Sequence, residues 1–126
     1  MKRILLLQPD TSLRDELTFV LQHSGFQVTN TGEGQQALAD IDRSRPDLIV
    51  MAEGSHRWNG DELCIRIREI SDAPIMILGQ DEWEAAGVEF LEMGADAYLN
   101  PPLNARELLA RVRSLLRRYE IQSKGI

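Results

Sequence analysis

Three runs of four unbroken aliphatic residues constrain this chain most: Ile4 to Leu7, Leu48 to Met51 and Ile75 to Leu78. None alternates with polar residues. A strand that is apolar on both sides needs cover on both sides, as in a parallel sheet sandwiched between helices. The intervening segments can supply it. Leu13, Leu17, Val20 and Leu21 recur at helical spacing, as do Ala37, Leu38 and Ile41, then Leu63, Ile67 and Ile70. Trp83 to Met93 is helical in pattern and stops at Gly94, and Leu108, Leu109, Val112, Leu115 and Leu116 mark a last helix. Shorter stretches at Phe26–Thr29 and Ala97–Leu99 complete five strand–helix units. Right-handed crossovers then give a doubly wound α/β sheet with its crevice at the carboxyl ends of the strands.

Local signals agree with this parse. Asp10, Thr11 and Ser12 are candidate caps for the first helix, and Gly25 is its stop. Asn104 and Glu107 have the spacing of a capping box ahead of the last helix. The polar stretch after Arg118 reads as a fraying end, which places one domain at residues 1–119 and the start of a linker or tail at 120–126.

Composition excludes several function classes. With 126 residues, 43% of them hydrophobic and 27% charged, the chain has the profile of one globular domain. Its apolar runs are far too short to cross a bilayer. The apolar part of "MKRILLLQPD" is too short for a signal peptide. Cys64 is the single cysteine, so no internal disulfide is possible and a cytoplasmic location is expected. His23 and His56 have no metal-ligand spacing. A net charge of −6 opposes direct nucleic-acid binding. The chain has no phosphate-cradling loop, dinucleotide fingerprint or nucleophile–base pair, so no enzyme is expected.

The loops at the working edge begin Gln8-Pro9-Asp10, Ala52-Glu53-Gly54, Gly79-Gln80-Asp81 and Asn100-Pro101-Pro102. Around them stand "RPDLIVMA", "NGDELCIRIR", "APIMILG" and "LEMGADAYLNPPLNARELLARVRSLLRR". These stretches resemble the receiver domain of bacterial response regulators, specifically the OmpR/PhoB subfamily, over essentially the whole chain. The resemblance implies a flavodoxin-like (βα)5 fold with a five-stranded parallel sheet of order 2-1-3-4-5. It also implies a site where an aspartate accepts a phosphoryl group, two acids help hold Mg²⁺, a Thr or Ser follows the phosphoryl group, and a Lys steadies its oxygens.

This chain departs from that pattern at each place. Gln8 and Pro9 stand at the acidic pair, Ala52 at the phosphoacceptor, Gly79 at the Thr/Ser position and Pro101 at the lysine. Phosphoryl transfer needs a carboxylate, a divalent cation and a cationic side chain together. No Mg²⁺ or other cofactor is therefore expected. The step from Ala52 to Gly60 matches the family's spacing, so Glu53 reads as facing the other way. Asp10, the nearest surviving acid, reads as a helix cap.

The resemblance leaves an output surface. The subfamily dimerises through its helix 4–strand 5–helix 5 face, and Asp96, Glu107, Arg111 and Arg118 remain of its charged residues. Gly87 and Ala97 replace two others. Tyr98 stands at the switch aromatic, with Gly79 leaving room for an inward ring. Trp58 and Trp83, with His56 and Arg57, fall near the altered edge, as a contact surface or as fillers of vacated space. The functional expectation is a phosphorylation-independent receiver-like domain that regulates and dimerises a transcription regulator. The alternatives are a stand-alone adaptor for other signalling proteins and a small-ligand sensor using the vacated pocket.

Overall fold

A computed structural model describes residues 1–52, 60–79, 91–100, 102 and 104–124. Its strands are β1 (Arg3–Leu7), β2 (Gln27–Thr31), β3 (Leu48–Ala52), β4 (Ile75–Leu78) and β5 (Ala97–Leu99). They form one parallel sheet in the order β2-β1-β3-β4-β5. The helices are α1 (Thr11–His23), α2 (Gly34–Ser44), α3 (Gly60–Ile70) and a C-terminal helix (Ala105–Lys124). Leu91 and Glu92 are also helical, just ahead of Gly94.

The aliphatic runs become the central strands, and their alternation divides the core in two. Leu5, Leu7, Ile49, Met51, Ile75 and Ile77 face one side, where Ala37 and Ile41 of α2 and Leu63, Cys64 and Ile67 of α3 cover them. Ile4, Leu6, Leu48, Val50, Met76 and Leu78 face the other, under Leu17 and Leu21 of α1 and Leu108, Val112, Leu115 and Leu116 of the C-terminal helix. Period-2 strands thus meet period-3.6 helices on both faces. Truncating a central residue such as Ile49, which has no solvent exposure, to alanine costs about 2–5 kcal/mol.

The helix ends follow from local chemistry. Asp10 caps α1, its Oδ1 accepting the Leu13 N–H at 2.9 Å. At the other end Gly25, at φ 94, lets its own N–H reach Gln22 O and the Phe26 N–H reach Leu21 O. That is the paired-bond stop a left-handed glycine permits. Asn104 caps the C-terminal helix through Oδ1, which accepts from Arg106 N and Glu107 N at 2.8 and 3.2 Å.

Several boundaries move relative to the sequence reading, two of them by two residues or more. β2 extends to Thr31 rather than ending at Thr29, because Thr31 pairs with Leu7 on a sheet edge that tolerates polar residues. The C-terminal helix continues to Lys124, so residues 120–124, expected as linker or tail, are helical. No helix among the described residues is long and apolar enough to cross a membrane.

Candidate functional site

The carboxyl ends of β1, β3 and β4 bring Gln8, Ala52 and Gly79 to one edge. Leu7 is level with Met51, and Ala52 with Leu78. One residue further, Gln8 comes level with Ala52, and Gly79 follows directly. The polypeptide thus brings together three of the five positions that the sequence resemblance singled out. Pro9 is half-buried in the loop after β1. Pro101 lies outside the described residues, as do Glu53, His56, Arg57, Trp58, Trp83 and Gly87.

Gln8 is 6% exposed and helps shape the loop. Its N–H donates to Thr31 O at 2.9 Å, and its Oε1 accepts the Asp10 N–H at 3.1 Å. Asp10 in turn spends Oδ1 on the α1 cap. Magnesium demands near-octahedral oxygen ligation, with carboxylates as the protein's usual contribution. The end of β1 offers a neutral amide oxygen already bonded, a proline without a side-chain ligand, and a carboxylate committed to a helix. These described residues do not fit a Mg²⁺ site. Among the described residues no cluster of three or more His, Cys, Asp or Glu could hold a metal.

A cation does stand beside this edge. Arg14, one turn into α1, donates from Nη1 to the Gln8 carbonyl at 3.0 Å. A side-chain carbon at Gly32 would lie 2.5 Å from that nitrogen, so the bare glycine seats the guanidinium. Sequence reasoning missed Arg14. Its signal was an arginine just inside a capped helix, opposite a glycine-rich turn.

Ala52 ends β3 at 5% exposure and brings a methyl group to the edge. Beyond β4, Gly79 donates its N–H to Leu99 O at 2.8 Å, which ties the loop to β5. Tyr98, in the middle of β5, packs its half-buried ring against the α2–α3 side of the core. A side-chain carbon at position 79 would sit 2.5 Å from Tyr98 Cζ and 2.6 Å from Cε1. The ring occupies the room that a missing side chain leaves.

The remaining candidates lie on the β5 and C-terminal-helix face. Asp96 is held within the chain, its Oδ2 accepting from Arg68 Nη2 and Ile75 N at 2.8 Å each. Arg68 also donates to Gly94 O, Ser71 O and Ala73 O. This hub fixes the turn into β5, where Gly94 adopts φ 111. Arg111 and Glu107 form an i,i+4 pair at 4.0 Å on the exposed helix surface. Arg118 joins Asp96, Pro74, Leu115 and Tyr119 around a cleft of about 90 Å³. A larger cavity of about 380 Å³ opens at the opposite end of the sheet, beside Arg45, Asp47, Glu69, Asp72 and Tyr119. It takes no part in the strand-end site.

A parallel sheet of this order, helices on both faces and a loop edge at the strands' carboxyl ends define the CheY-like signalling architecture. The chain belongs to the response regulator receiver domain family, whose model matches residues 4–113. Sensory transduction protein RegX3 of Mycolicibacterium smegmatis is 36% identical over 118 residues, covering 94% of this chain and 52% of that protein. DNA-binding response regulator MtrA of the same organism is 40% identical over 119 residues, with shares of 94% and 52%. The chain spans about half the length of these curated relatives. A two-component response regulator from Clostridium difficile superposes with a TM-score of 0.89 at 27% identity, over 94% of this chain and 98% of that one. The chemotaxis response regulator CheY4 of Vibrio cholerae gives 0.85 at 25% identity, over 91% and 98%.

Proposed function

We propose that this receiver domain signals without phosphorylation, as the regulatory and dimerisation module of a transcription regulator. The packing of Tyr98 over Gly79 carries the reading. In a switching receiver the residue at position 79 follows the phosphoryl group and the aromatic responds. Here the responding ring already fills the space, and the residue that would relay the signal has no side chain. Ala52 offers no acceptor, and the Gln8–Pro9–Asp10 loop offers no paired carboxylates for a metal. A ligand shifts an equilibrium only by its differential affinity for two states. A site that cannot take the phosphoryl group supplies no such difference.

The transcriptional context draws on the likeness to a DNA-binding response regulator of twice this length. Dimerisation through the β5 and C-terminal-helix face draws on Arg111, Glu107 and Arg118 standing there together. Asp96 is partly spent on Arg68 and Ile75, so the ion-pair contribution is small, as exposed pairs usually are. Incubation with acetyl phosphate and Mg²⁺, followed by intact-mass spectrometry, tests the proposal. The mass stays unchanged if the reading holds, and a stoichiometric gain of one phosphoryl group refutes it.

A further inference from the structure

The cavity of about 380 Å³ lies by the amino ends of β3 and β4, away from every group of the strand-end site. Two helices finish beside it. Arg45 closes α2 at φ 51, and Glu69 and Ile70 are the last residues of α3. Part of the lining is apolar and dry: Ile41 is 1% exposed, Ala73 5%, and Pro46 is also buried. Tyr119 of the C-terminal helix adds a half-buried aromatic ring. A volume between about 300 and 1,000 Å³, with an apolar lining and a few polar groups, is the usual make-up of a small-ligand site.

The charged groups of the lining are unequally available. Arg68 has five N–H donors, and its hydrogen bonds commit them: two to Gly94 O and one each to Ser71 O, Ala73 O and Asp96 Oδ2. It has none left for a ligand. Asp47 spends one oxygen on the Arg3 N–H, at 2.8 Å, and keeps the other. Among the described residues, no ion pair or side-chain hydrogen bond engages Glu69, Asp72 or Arg45. Three carboxylates therefore stand against one uncommitted guanidinium, an excess of two negative charges. The carboxyl ends of α2 and α3 add partial charge of the same sign. The chain's net charge of −6 enriches cations around it further.

The spread of the carboxylates decides which cation fits. A divalent metal ion needs several oxygens converging on one point. Among the described residues no three acidic, His or Cys side chains are close enough to hold a metal. An organic dication carries its two charges apart, and its methylenes can cover the apolar lining at Ile41, Pro46 and Ala73. One ammonium can rest on the face of Tyr119. We infer that this cavity binds a linear aliphatic diamine, with Asp47, Glu69 and Asp72 meeting its ammonium groups and Tyr119 its stem or one end.

The probe is cadaverine, titrated into the isotope-labelled 126-residue chain at about 0.15 M salt. Amide signals of residues 45–47 and 69–73 should shift and saturate. Pentanediol, of the same length without charge, should leave them unmoved, and pentylamine, with one charge, should bind about threefold more weakly or worse. Glu69→Gln/Asp72→Asn should weaken cadaverine binding about tenfold, and Tyr119→Leu about threefold. Asp15→Asn/Glu16→Gln on α1 removes the same net charge elsewhere and should leave binding within about twofold. Circular dichroism verifies that each variant is folded. Asp72→Asn alone, expected to weaken binding about threefold, provides the test if the double variant is not. No saturable shift, equal losses from the two double variants, equal affinity for pentylamine, or Mg²⁺ binding at the same residues as tightly as cadaverine would overturn the inference.

Discussion

The ring of Tyr98 lies where the side chain of any residue other than glycine at position 79 would have to begin, with Cζ 2.5 Å and Cε1 2.6 Å from the position of its first carbon. Gly79 is not among the glycines at positive φ, so its backbone accepts an L-residue, and the three atoms nearest to an added carbon all belong to the aromatic ring and its hydroxyl. Gly79→Ala should therefore destabilise the domain by about 1–3 kcal/mol, the usual cost of overpacking. In a Tyr98→Ala background the same change should be neutral or stabilising by about 0.4–1 kcal/mol, through the less flexible unfolded chain. Urea denaturation of the four proteins measures the coupling. Equal effects of Gly79→Ala in both backgrounds would show that the two residues do not compete for space.

Arg68 provides a second prediction. Its guanidinium holds Gly94 O, Ala73 O, Ser71 O and Asp96 together. Arg68→Met keeps the stem but leaves these acceptors without their cation, which should cost about 2–4 kcal/mol. Arg68→Lys should recover less than half of that, since an ammonium cannot reproduce the fork. Full rescue by lysine in thermal or urea unfolding would mean that charge, rather than geometry, is what this hub needs.

Restoring the acceptor alone should not restore the chemistry. Ala52→Asp places a carboxylate at the end of β3, but on the proposed reading Gln8 and Pro9 occupy the metal positions and Pro101 the cationic one. Acetyl phosphate with Mg²⁺ should leave the intact mass of this variant unchanged. Efficient labelling would show that the strand-end site needs fewer groups than argued above.

Self-association through the β5 and C-terminal-helix face should be weak and salt-sensitive. Arg118 shares a cleft with Asp96, whose Oδ2 already accepts two hydrogen bonds. Sedimentation equilibrium at increasing salt should show the dimer dissociating. Arg118→Glu should weaken it about two- to fivefold, in keeping with the roughly 0.2–1 kcal/mol of an exposed pair. A dimer indifferent to both would place the interface elsewhere.

The sheet was legible in the sequence because its central strands are buried on both faces, so Ile4–Leu7, Leu48–Met51 and Ile75–Leu78 could hardly be anything else. The α1 cap and stop were legible because Asp10 and Gly25 each do one local job. β2 was read short because edge residues such as Asn30 and Thr31 are held by backbone pairing, which leaves no hydrophobic trace. Gln8, Ala52 and Gly79 were legible as residues of the strand-end edge, where β1, β3 and β4 bring them together. What fills it was only partly so. The Gly79–Tyr98 contact could be anticipated, but Arg14 resting on Gly32, and Asp96 bound by Arg68, join residues distant in sequence with no periodic signature.

If this domain signals without phosphorylation, as proposed, with the Tyr98 ring held over Gly79, a phosphodonor should leave one conformation in place, and Tyr98 itself reports on this most directly. Aromatic carbon relaxation dispersion of Tyr98, with and without acetyl phosphate and Mg²⁺, reports whether a second state is populated. The account predicts flat dispersion and unchanged ring shifts under both conditions. Microsecond-to-millisecond exchange at Tyr98, or a shift of its ring signals on adding the phosphodonor, would contradict it.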